Sequence, residues 1–307
     1  MSSTSASSNA AASFEPFRRR LLGLAYRMLG SMADAEDAVQ ETYLRWHKAD
    51  RDNVSDPRAF LMTTTSRICL DMLTSARARR EEYVGPWLPE PVLDTAALAP
   101  DSHTELAEDL SIALLLTLDR LSPLERAAFL LHDVFDFSFS EVANALERSE
   151  AACRQLAARA RAHVRDTRPR GATTAASARS GQVDAKHAEL ISAFIAATRS
   201  GDLRGLTQLL ASDVRVVTDG GGKVQAALNV LEGADRSARF LIGAARKGWR
   251  EEYTLRFAVI NGLPGVIVDS PEGPVQTSAF EIEDGVVRAL YVVRNSDKLR
   301  HVTPAAT

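Results

Sequence analysis

Apolar residues recur every three or four positions over most of the first half of the chain, and this spacing predicts amphipathic helices. The first stretch covers residues 14–29 and ends at a Gly-Ser pair, which stops one helix and starts the next. A second stretch covers residues 33–48. A third covers residues 57–80, opens on a proline and takes its cap from Ser55 or Asp56.

Residues 122–163 carry the start signals of three further short helices. The candidate caps are Ser122, then Ser138 or Ser140, then Ser149. Two short helices joined by a tight turn form a helix-turn-helix, a DNA-binding motif. The predicted turn at residues 146–148 contains no glycine, so a left-handed residue there costs about 1–2 kcal/mol.

The pattern changes in the last third of the chain. Helical spacing continues over residues 188–198 and 203–210, and alternation of apolar and polar residues then predicts strands. Helices followed by a curved antiparallel sheet form an α+β cone. The predicted strands cover residues 214–217, 249–260, 265–269, 275–283 and 286–294.

Three segments lack either periodicity. Residues 1–13 are small and polar and predict a disordered tail, and residues 168–184 have the composition of a flexible linker. Residues 83–91 contain three prolines and a glycine, which exclude a continuous helix. This last segment is a linker by composition, but Trp87 and Leu88 are costly to leave in water, so we expect it to dock.

Composition narrows the function classes. The chain has 307 residues, enough for two or three domains, and a net charge of −3, so any nucleic-acid footprint must be local. Two cysteines in different predicted helices favour free thiols in a reducing, cytoplasmic compartment. No apolar run reaches the length that spans a membrane, so no membrane partner is expected.

Charge is distributed unevenly between the second and third helices. Acidic residues crowd the start of the second, which suits a helix dipole but extends past the first turn to Glu41. The third carries five arginines against the single acid Asp71. An acidic helix followed by a basic one suggests two different partners.

The order of these motifs resembles an extracytoplasmic-function, or group IV, sigma factor of the sigma-70 family. The matching segments are D-A-E-D-A-V-Q-E at 34–41, D-P-R-A-F-L at 56–61 and R-A-R-R at 77–80, followed by the helix-turn-helix. The resemblance implies sigma region 2 over residues 14–82, a linker over 83–103 and region 4 over 104–167.

Two further motifs resemble the sigma-J type, which carries a fused C-terminal SnoaL-like (nuclear-transport-factor-like) domain. They are W-L-P-E-P at 87–91 and D-G-G-G-K at 219–223, and N-S-D-K-L at 295–299 is similar to a third, N-P-D-K-L. Three glycines are also typical of an ordinary loop. The resemblance places the SnoaL-like domain over residues 185–300, and we expect its glycine loop to pack near W-L-P-E-P or region 2 and to regulate the sigma unit in cis.

The resemblance implies core RNA polymerase and promoter DNA as partners. The acidic helix would bind the β′ clamp helices and region 4 the β flap, with Asp34, Asp37, Gln40 and Glu41 as the β′ contacts. The −10 contacts would be Arg58, Arg67, Arg77, Arg79 and Arg80. The −35 contacts would be Ser149, Glu150, Arg154, Gln155, Arg159 and Arg161. The regulatory contact would comprise Trp87, Leu88, Pro89, Asp219, Gly220, Gly221, Gly222 and Lys223.

Two alternatives remain open from the residues. SnoaL-like cones can be enzymes, but the only histidines of this one, His187 and His301, lie near its ends, and the other candidates are Asp219, Asp269, Glu281 and Tyr291. We expect no catalytic residues, no cofactor and no metal, and leave a small ligand of the cone open. A ligand-sensing repressor is the other alternative, and it would leave the acidic helix unexplained.

Overall fold

A computed structural model describes residues 2–81, 83–93, 98, 109–167 and 182–302. The chain forms two compact units. The helical unit comprises residues 1–81 and 96–168, and the sheet unit comprises residues 82–95 and 169–307. The predicted linker at 168–184 falls largely outside the described residues.

The helical unit begins with three long helices: α1 (Ser2–Leu29), α2 (Met32–Lys48) and α3 (Pro57–Glu81). Gly30 ends α1 with a φ of 71°, and the Ser31 hydroxyl caps α2 by accepting a hydrogen bond from the Asp34 amide. A 3₁₀ turn at Arg51–Asn53 leads into α3. The apolar face of α1 is buried, as its periodicity predicts, at Leu21, Leu24, Ala25, Tyr26, Met28 and Leu29.

The expected disordered tail is helical instead, because α1 starts at Ser2. Residues 2–13 include four alanines and lack both proline and glycine, so nothing in them stops a helix. Tertiary contacts hold the end of this stretch: Ala10 and Phe14 are buried, and the Trp46 indole donates to the Ser13 hydroxyl over 3.1 Å.

The remaining helices of this unit are α4 (Ile112–Asp119), α5 (Pro123–Phe129), a π-helical turn (Leu130–Val134), α6 (Phe139–Leu146) and α7 (Glu150–Thr167). Ser122 and Ser138 each form a capping box with the glutamate three residues on, so the second cap is Ser138 rather than Ser140. The turn between α6 and α7 places Glu147 in the left-handed region, with φ 54°. The turn of the helix-turn-helix therefore contains a strained non-glycine residue, Glu147, as the absence of glycine from residues 146–148 predicts.

The sheet unit opens with α8 (Ala185–Ser200) and α9 (Leu203–Leu209). Its strands are β1 (Leu210–Asp219), β2 (Leu231–Glu232), β3 (Thr254–Ile260), β4 (Leu263–Ser270), β5 (Gly273–Glu283) and β6 (Val286–Val293). Between β2 and β3 lies α10 (Ala234–Gly248), a helix that we did not predict. Because Trp249 caps α10, the predicted strand at 249–260 starts only at Thr254.

The six strands form one sheet in the order β2-β1-β6-β5-β4-β3. The predicted antiparallel pattern holds except between β1 and β6, which run parallel because β2 and α10 intervene in the chain. Helices α8 and α10 cover one face of the sheet, where the Phe194 ring meets Phe280 edge-on at 5.1 Å between centroids. The predicted α+β architecture is thus confirmed.

Residues 83–93 pack with the sheet unit rather than bridging two helical domains. Asn261 fixes the end of this segment: its side-chain oxygen accepts from the Val92 amide over 3.1 Å, and its own amide donates to the Val92 carbonyl over 2.8 Å. The linker motif is therefore a structural part of the C-terminal unit.

Both cysteines are buried free thiols. Within the described residues, no helix is long and apolar enough to cross a membrane, and no group of three or more His, Cys, Asp or Glu side chains is placed to hold a metal ion.

Candidate polymerase, DNA and regulatory surfaces

The predicted polymerase-binding residues of α2 form an exposed stripe. Asp37, Gln40 and Glu41 are exposed, and they lie at positions i, i+3 and i+4 of the helix, so they share one face. Asp34 lies half-buried in the first turn. The stripe continues to Leu44, an apolar side chain that is 43% exposed.

Leu44 is the residue of this surface that the sequence analysis missed. Helical periodicity alone does not separate an apolar residue that faces the core from one that faces a partner. The Glu41 carboxylate meets Arg45 at 3.0 Å, and both side chains are about half exposed, so this pair holds little stabilising energy. The stripe combines negative charge with an exposed apolar side chain, which suits a protein partner.

Two of the predicted −10 arginines are engaged by the helix-turn-helix inside the helical unit. Arg58 donates to the Phe135 carbonyl over 2.8 Å. Arg67 donates to the carbonyls of Ala145 and Asn144 over 3.0 and 2.8 Å, and meets Glu147 at 3.2 Å. The donors that make these hydrogen bonds are not available to DNA in this arrangement. The side chains of Arg77, Arg79 and Arg80 fall outside the described residues.

The predicted −35 residues lie on and just before α7, and most of them face solvent. Ser149, Glu150 and Gln155 are exposed, and the Ser149 hydroxyl accepts from the Ala152 amide over 3.3 Å. Arg154 is also exposed; it pairs with Glu150 at 2.5 Å and lies over the Phe139 ring.

The two later arginines of α7 are tied to α5 and the π-helical turn. Arg159 meets Glu125 at 2.9 Å but keeps 65% of its side chain exposed. Arg161 meets Asp133 at 2.6 Å and is less exposed. The first two turns of α7 therefore present the more open polar surface, while Arg161 braces the helix-turn-helix.

The predicted regulatory residues meet around a buried carboxylate in the sheet unit. Asp219 has no solvent exposure and ends β1. Its oxygens accept hydrogen bonds from the Tyr83 hydroxyl over 2.5 Å, the Leu88 amide over 2.8 Å and the Lys298 ammonium over 2.7 Å. A buried carboxylate needs such compensation, because an unpaired charge is expensive to remove from water.

Lys298 completes this arrangement, which we call the Asp219 site. Its ammonium also donates to the Leu88 carbonyl over 2.6 Å and lies over the Trp87 and Tyr83 rings, 4.3 and 4.9 Å from their centroids. Burial and the neighbouring carboxylate raise the pKa of Tyr83 above its ordinary value, so its hydroxyl stays protonated as the donor. Asn295 donates to the Tyr83 oxygen over 2.9 Å.

The three glycines after Asp219 have a steric basis. A Cβ on Gly220 would lie 2.2 Å from the Val224 carbonyl oxygen, and one on Gly221 would lie 2.3 Å from the Asn295 amide nitrogen. Gly221 and Gly222 also have positive φ values of 57° and 71°. Lys223 ends the loop in an exposed ion pair with Asp297.

Within the sheet unit, Leu88 of the W-L-P-E-P segment contacts Asp219 of D-G-G-G-K, and Pro89 is buried. Its regulatory role stays a prediction. Sequence analysis missed Tyr83, Asn295 and Lys298 as members of the site. The N-S-D-K-L motif contains two of the three and was the available signal.

The order of the helical elements is that of a sigma-70-type transcription initiation factor, here with an added sheet unit. The family model described as Sigma-70 region 2 matches residues 14–79, and the model described as Sigma-70, region 4 matches residues 111–164.

The chain belongs to the extracytoplasmic-function (ECF) sigma factor family. It is 40% identical over 295 residues to the ECF RNA polymerase sigma factor SigJ of Mycobacterium tuberculosis, covering 93% of this chain and 91% of that one. It is 31% identical to the probable ECF sigma factor SigI of the same organism, covering 92% of each. The crystal structure of SigJ matches with a TM-score of 0.68 and 35% identity, covering 94% of this chain and 98% of that one.

Membership of this family confirms the sigma factor prediction over the enzyme and repressor alternatives. Sigma factors bind core RNA polymerase and promoter DNA and initiate transcription; they are not enzymes. The two predicted partners of the chain are therefore confirmed at this level.

Proposed function

We propose that the exposed stripe of α2 is the main contact with core polymerase and binds the β′ clamp helices through Asp37, Gln40, Glu41 and Leu44. Three polar side chains and one leucine on a single face, at i, i+3, i+4 and i+7, support this more than any other observation. Asp34 contributes from the edge of the stripe.

Promoter DNA is read by both sigma regions. The first two turns of α7 enter the −35 element, where Arg154 and Gln155 have donors suited to guanine and adenine edges, and Arg159 to phosphate. The basic arginines of α3 contact the −10 element. Region 4 also contacts the β flap.

The helical unit represents a closed, polymerase-free arrangement. Arg58 and Arg67 donate to carbonyls of the helix-turn-helix, and the same donors cannot serve DNA simultaneously. Binding to core polymerase favours an open arrangement in which both arginines are released, because a partner shifts a conformational equilibrium toward the form that it binds better.

A crosslinking experiment tests this arrangement. A short thiol crosslinker is applied to a variant carrying Arg67→Cys and Glu147→Cys, and each single variant treated in the same way serves as the control. The native cysteines, Cys69 and Cys153, are buried. We expect crosslinking to abolish the transcription that the untreated double variant retains, and to leave each single variant at its own untreated level; equal transcription by the linked and the untreated double variant would refute the closed arrangement.

The sheet unit regulates the sigma unit in cis through the Asp219 site. This site fixes residues 83–93, the segment that follows α3 along the chain. Holding that segment restricts the positions that the two DNA-reading regions can adopt, so any change at the site alters how readily the helical unit opens. The effect can have either sign.

Run-off transcription with core polymerase and a randomised promoter library tests the whole proposal. We expect the full-length chain to enrich two separated elements, with the α7 residues setting the upstream one. Specific DNA selection that proceeds equally well without core polymerase would contradict the proposal, as would core binding that enriches no sequence.

A further inference from the structure

The sheet unit contains a cavity of about 160 Å³ between α8, α10 and the concave face of the sheet. Its walls are mostly apolar, and five aromatic side chains contribute to them: Phe194, Phe240, Trp249, Tyr253 and Phe280. An engineered protein cavity of about 150 Å³ with apolar walls binds benzene, so this volume suits an apolar body of that size.

The charged residues among the described lining are Arg199 and Arg294, and that lining contains no Asp, Glu, His or Cys. Apart from the Tyr253 hydroxyl, this lining offers no ordinary general acid or base, which favours binding over turnover. It also has two cations and no anion, and Lys247 lies on an adjoining recess that shares Arg294. The charges of the cavity lining therefore favour a negatively charged ligand.

Both arginines are held in place. The Arg199 guanidinium lies over the Trp249 ring, 4.4 Å from its centroid. One terminal nitrogen of Arg294 donates to the Gln225 carbonyl over 2.7 Å, whereas its Nε is buried and has no hydrogen-bond partner among the described residues. Arg294 as a whole lines the cavity, and a carboxylate is the acceptor that a guanidinium binds best.

The floor of the cavity adds one polar point. Gln276 donates to the Ser278 hydroxyl over 3.0 Å, and both residues belong to the lining. Because the Ser278 oxygen is the acceptor in this bond, the Ser278 hydroxyl can donate its own hydrogen to a ligand. The cavity therefore suits a ring or chain that carries one additional hydrogen-bond acceptor.

We propose that this cavity binds a small organic acid, with its carboxylate at Arg294 and Arg199 and its apolar body among the aromatic side chains, and that its occupancy is transmitted to the Asp219 site. The binding site goes beyond the proposed sigma function, and the transmitted effect deepens its regulation in cis.

The cavity and the Asp219 site are close together, because in two places one residue lines the cavity and the next residue in the chain belongs to the Asp219 site. Thr218 lines the cavity and Asp219 forms the buried site; likewise, Arg294 lines the cavity and Asn295 contacts Tyr83. The Arg294 amide also donates to the Asp219 carbonyl over 2.8 Å. A ligand that binds the Arg294 side chain therefore contacts the same residue whose backbone amide holds Asp219.

Isothermal titration calorimetry of the full-length protein tests binding with three matched compounds of one shape: 4-methylbenzoate, 4-methylbenzamide and 4-methylbenzylamine. We expect the anion to bind one-to-one and at least about tenfold more tightly than the neutral amide, with the amine weakest, because hydrogen bonds to charged groups are the stronger ones. Octanoate carries the same carboxylate on an aliphatic chain, so its affinity relative to 4-methylbenzoate shows whether the cavity prefers aromatic or aliphatic acids.

Arg294→Gln should remove the preference for the anion, and Arg294→Lys should keep part of it. Arg288→Gln is the matched control: Arg288 lies on β6, the strand that Arg294 directly follows, but it pairs with Asp213 and Glu283 outside the cavity. Arg199→Gln, at an exposed position, repeats the test if Arg294→Gln fails to fold. Equal affinity for anion and amide in the unsubstituted protein overturns the proposal, as does absence of binding at millimolar concentration.

Hydrogen exchange measures the transmitted effect. With 4-methylbenzoate bound, we expect the exchange rates of the Leu88 and Val92 amides to change by about threefold or more, and those of α2 to remain unchanged. Binding without any change at these two amides would overturn the coupling. Because neither experiment requires polymerase, failure here is distinguishable from failure of the sigma function, which transcription assays measure independently.

Discussion

The acidic stripe of α2 and the buried carboxylate of the sheet unit use the same chemical group in opposite ways. Asp37 and Glu41 are exposed, and Glu41 forms a weak surface ion pair with Arg45. Asp219 is fully buried and accepts three hydrogen bonds from donors distant in sequence.

The difference shows which charges remain available to a partner. The exposed carboxylates stay hydrated, so their substitution should change binding while leaving the fold intact. The Asp219 oxygens are hydrogen-bonded within the sheet unit. Substitution of Asp219 should therefore lower the stability of the unit, and function should change only as a result of that loss of stability.

The largest effect is expected from Asp219→Ala. It leaves the Lys298 ammonium buried without its carboxylate, and breaking a buried pair costs about 3–5 kcal/mol. Hydrogen exchange across β1 and β6 should show the sheet unit destabilised by that amount.

The matched control for this substitution is Asp213→Ala on the same strand, where the side chain is 74% exposed and pairs with Arg288. It should cost less than about 1 kcal/mol. The double variant Asp219→Leu, Lys298→Met should be more stable than Asp219→Ala, because it leaves no unpaired charge. If Asp219→Ala and Asp213→Ala cost the same, the Asp219 site is not the structural centre that we describe.

The next effect in size concerns binding rather than stability. Reversing Asp37 and Glu41 to Lys should weaken the affinity for core polymerase by about 100-fold, which corresponds to about 2.7 kcal/mol. The free energy of unfolding should change by no more than about 0.5 kcal/mol per substitution.

A pull-down with core polymerase, together with thermal unfolding, measures both quantities. Asp52→Lys is the control: it reverses an acid of the same unit in the 3₁₀ turn beyond α2, away from the stripe. Leu44→Ala should weaken core binding without destabilising the protein. Unchanged affinity in the double reversal would remove the assignment of this face.

The same contrast explains what could be predicted from the sequence. Capping residues and apolar periodicity are local signals, and they located α2, α3 and the helix-turn-helix correctly. Leu44 was not identified as a surface residue because periodicity does not say what covers an apolar side chain. Helix α10 was missed although Ala238, Leu241 and Ile242 have helical spacing, because the glycines around and within it are typical of loops.

The Asp219 site was beyond such local reasoning. Tyr83 and Asp219 are 136 positions apart, and Leu88 and Lys298 are 210 apart. No periodicity connects residues at that separation, so only resemblance between motifs suggested that they meet. That resemblance identified the motifs but not the donor pattern, since the burial of Asp219 depends on the assembled sheet.

A smaller effect is expected on DNA reading. Arg154→Ala or Gln155→Ala should relax the preference at one −35 position by about 1–3 kcal/mol, because each would remove a proposed contact to a base edge. Arg159→Ala should weaken all sequences alike, since a phosphate contact carries no sequence information.

Promoter selection with each variant measures the difference, and Arg161→Ala is the contrasting change. Arg161 is engaged by Asp133, so its loss should lower stability rather than alter sequence preference. If all three substitutions on the exposed face leave the −35 preference unchanged, α7 is not the recognition helix.

The smallest effect is expected from Lys223→Ala, although Lys223 lies only four residues after Asp219. Its ammonium pairs with Asp297 at the surface, where 51% and 43% of the two side chains are exposed, and such pairs are worth about 0–1 kcal/mol. Thermal unfolding should therefore shift little, while Trp87→Ala, which removes a ring from over Lys298, should shift it clearly. A double-mutant cycle should find Trp87→Ala and Lys223→Ala additive within about 0.5 kcal/mol, but Trp87→Ala and Lys298→Met strongly coupled. Coupling of equal size in both cycles would mean that the glycine loop acts as one unit with the Asp219 site. Burial would then not distinguish the charged side chains that stabilise the fold from those that are available to bind partners.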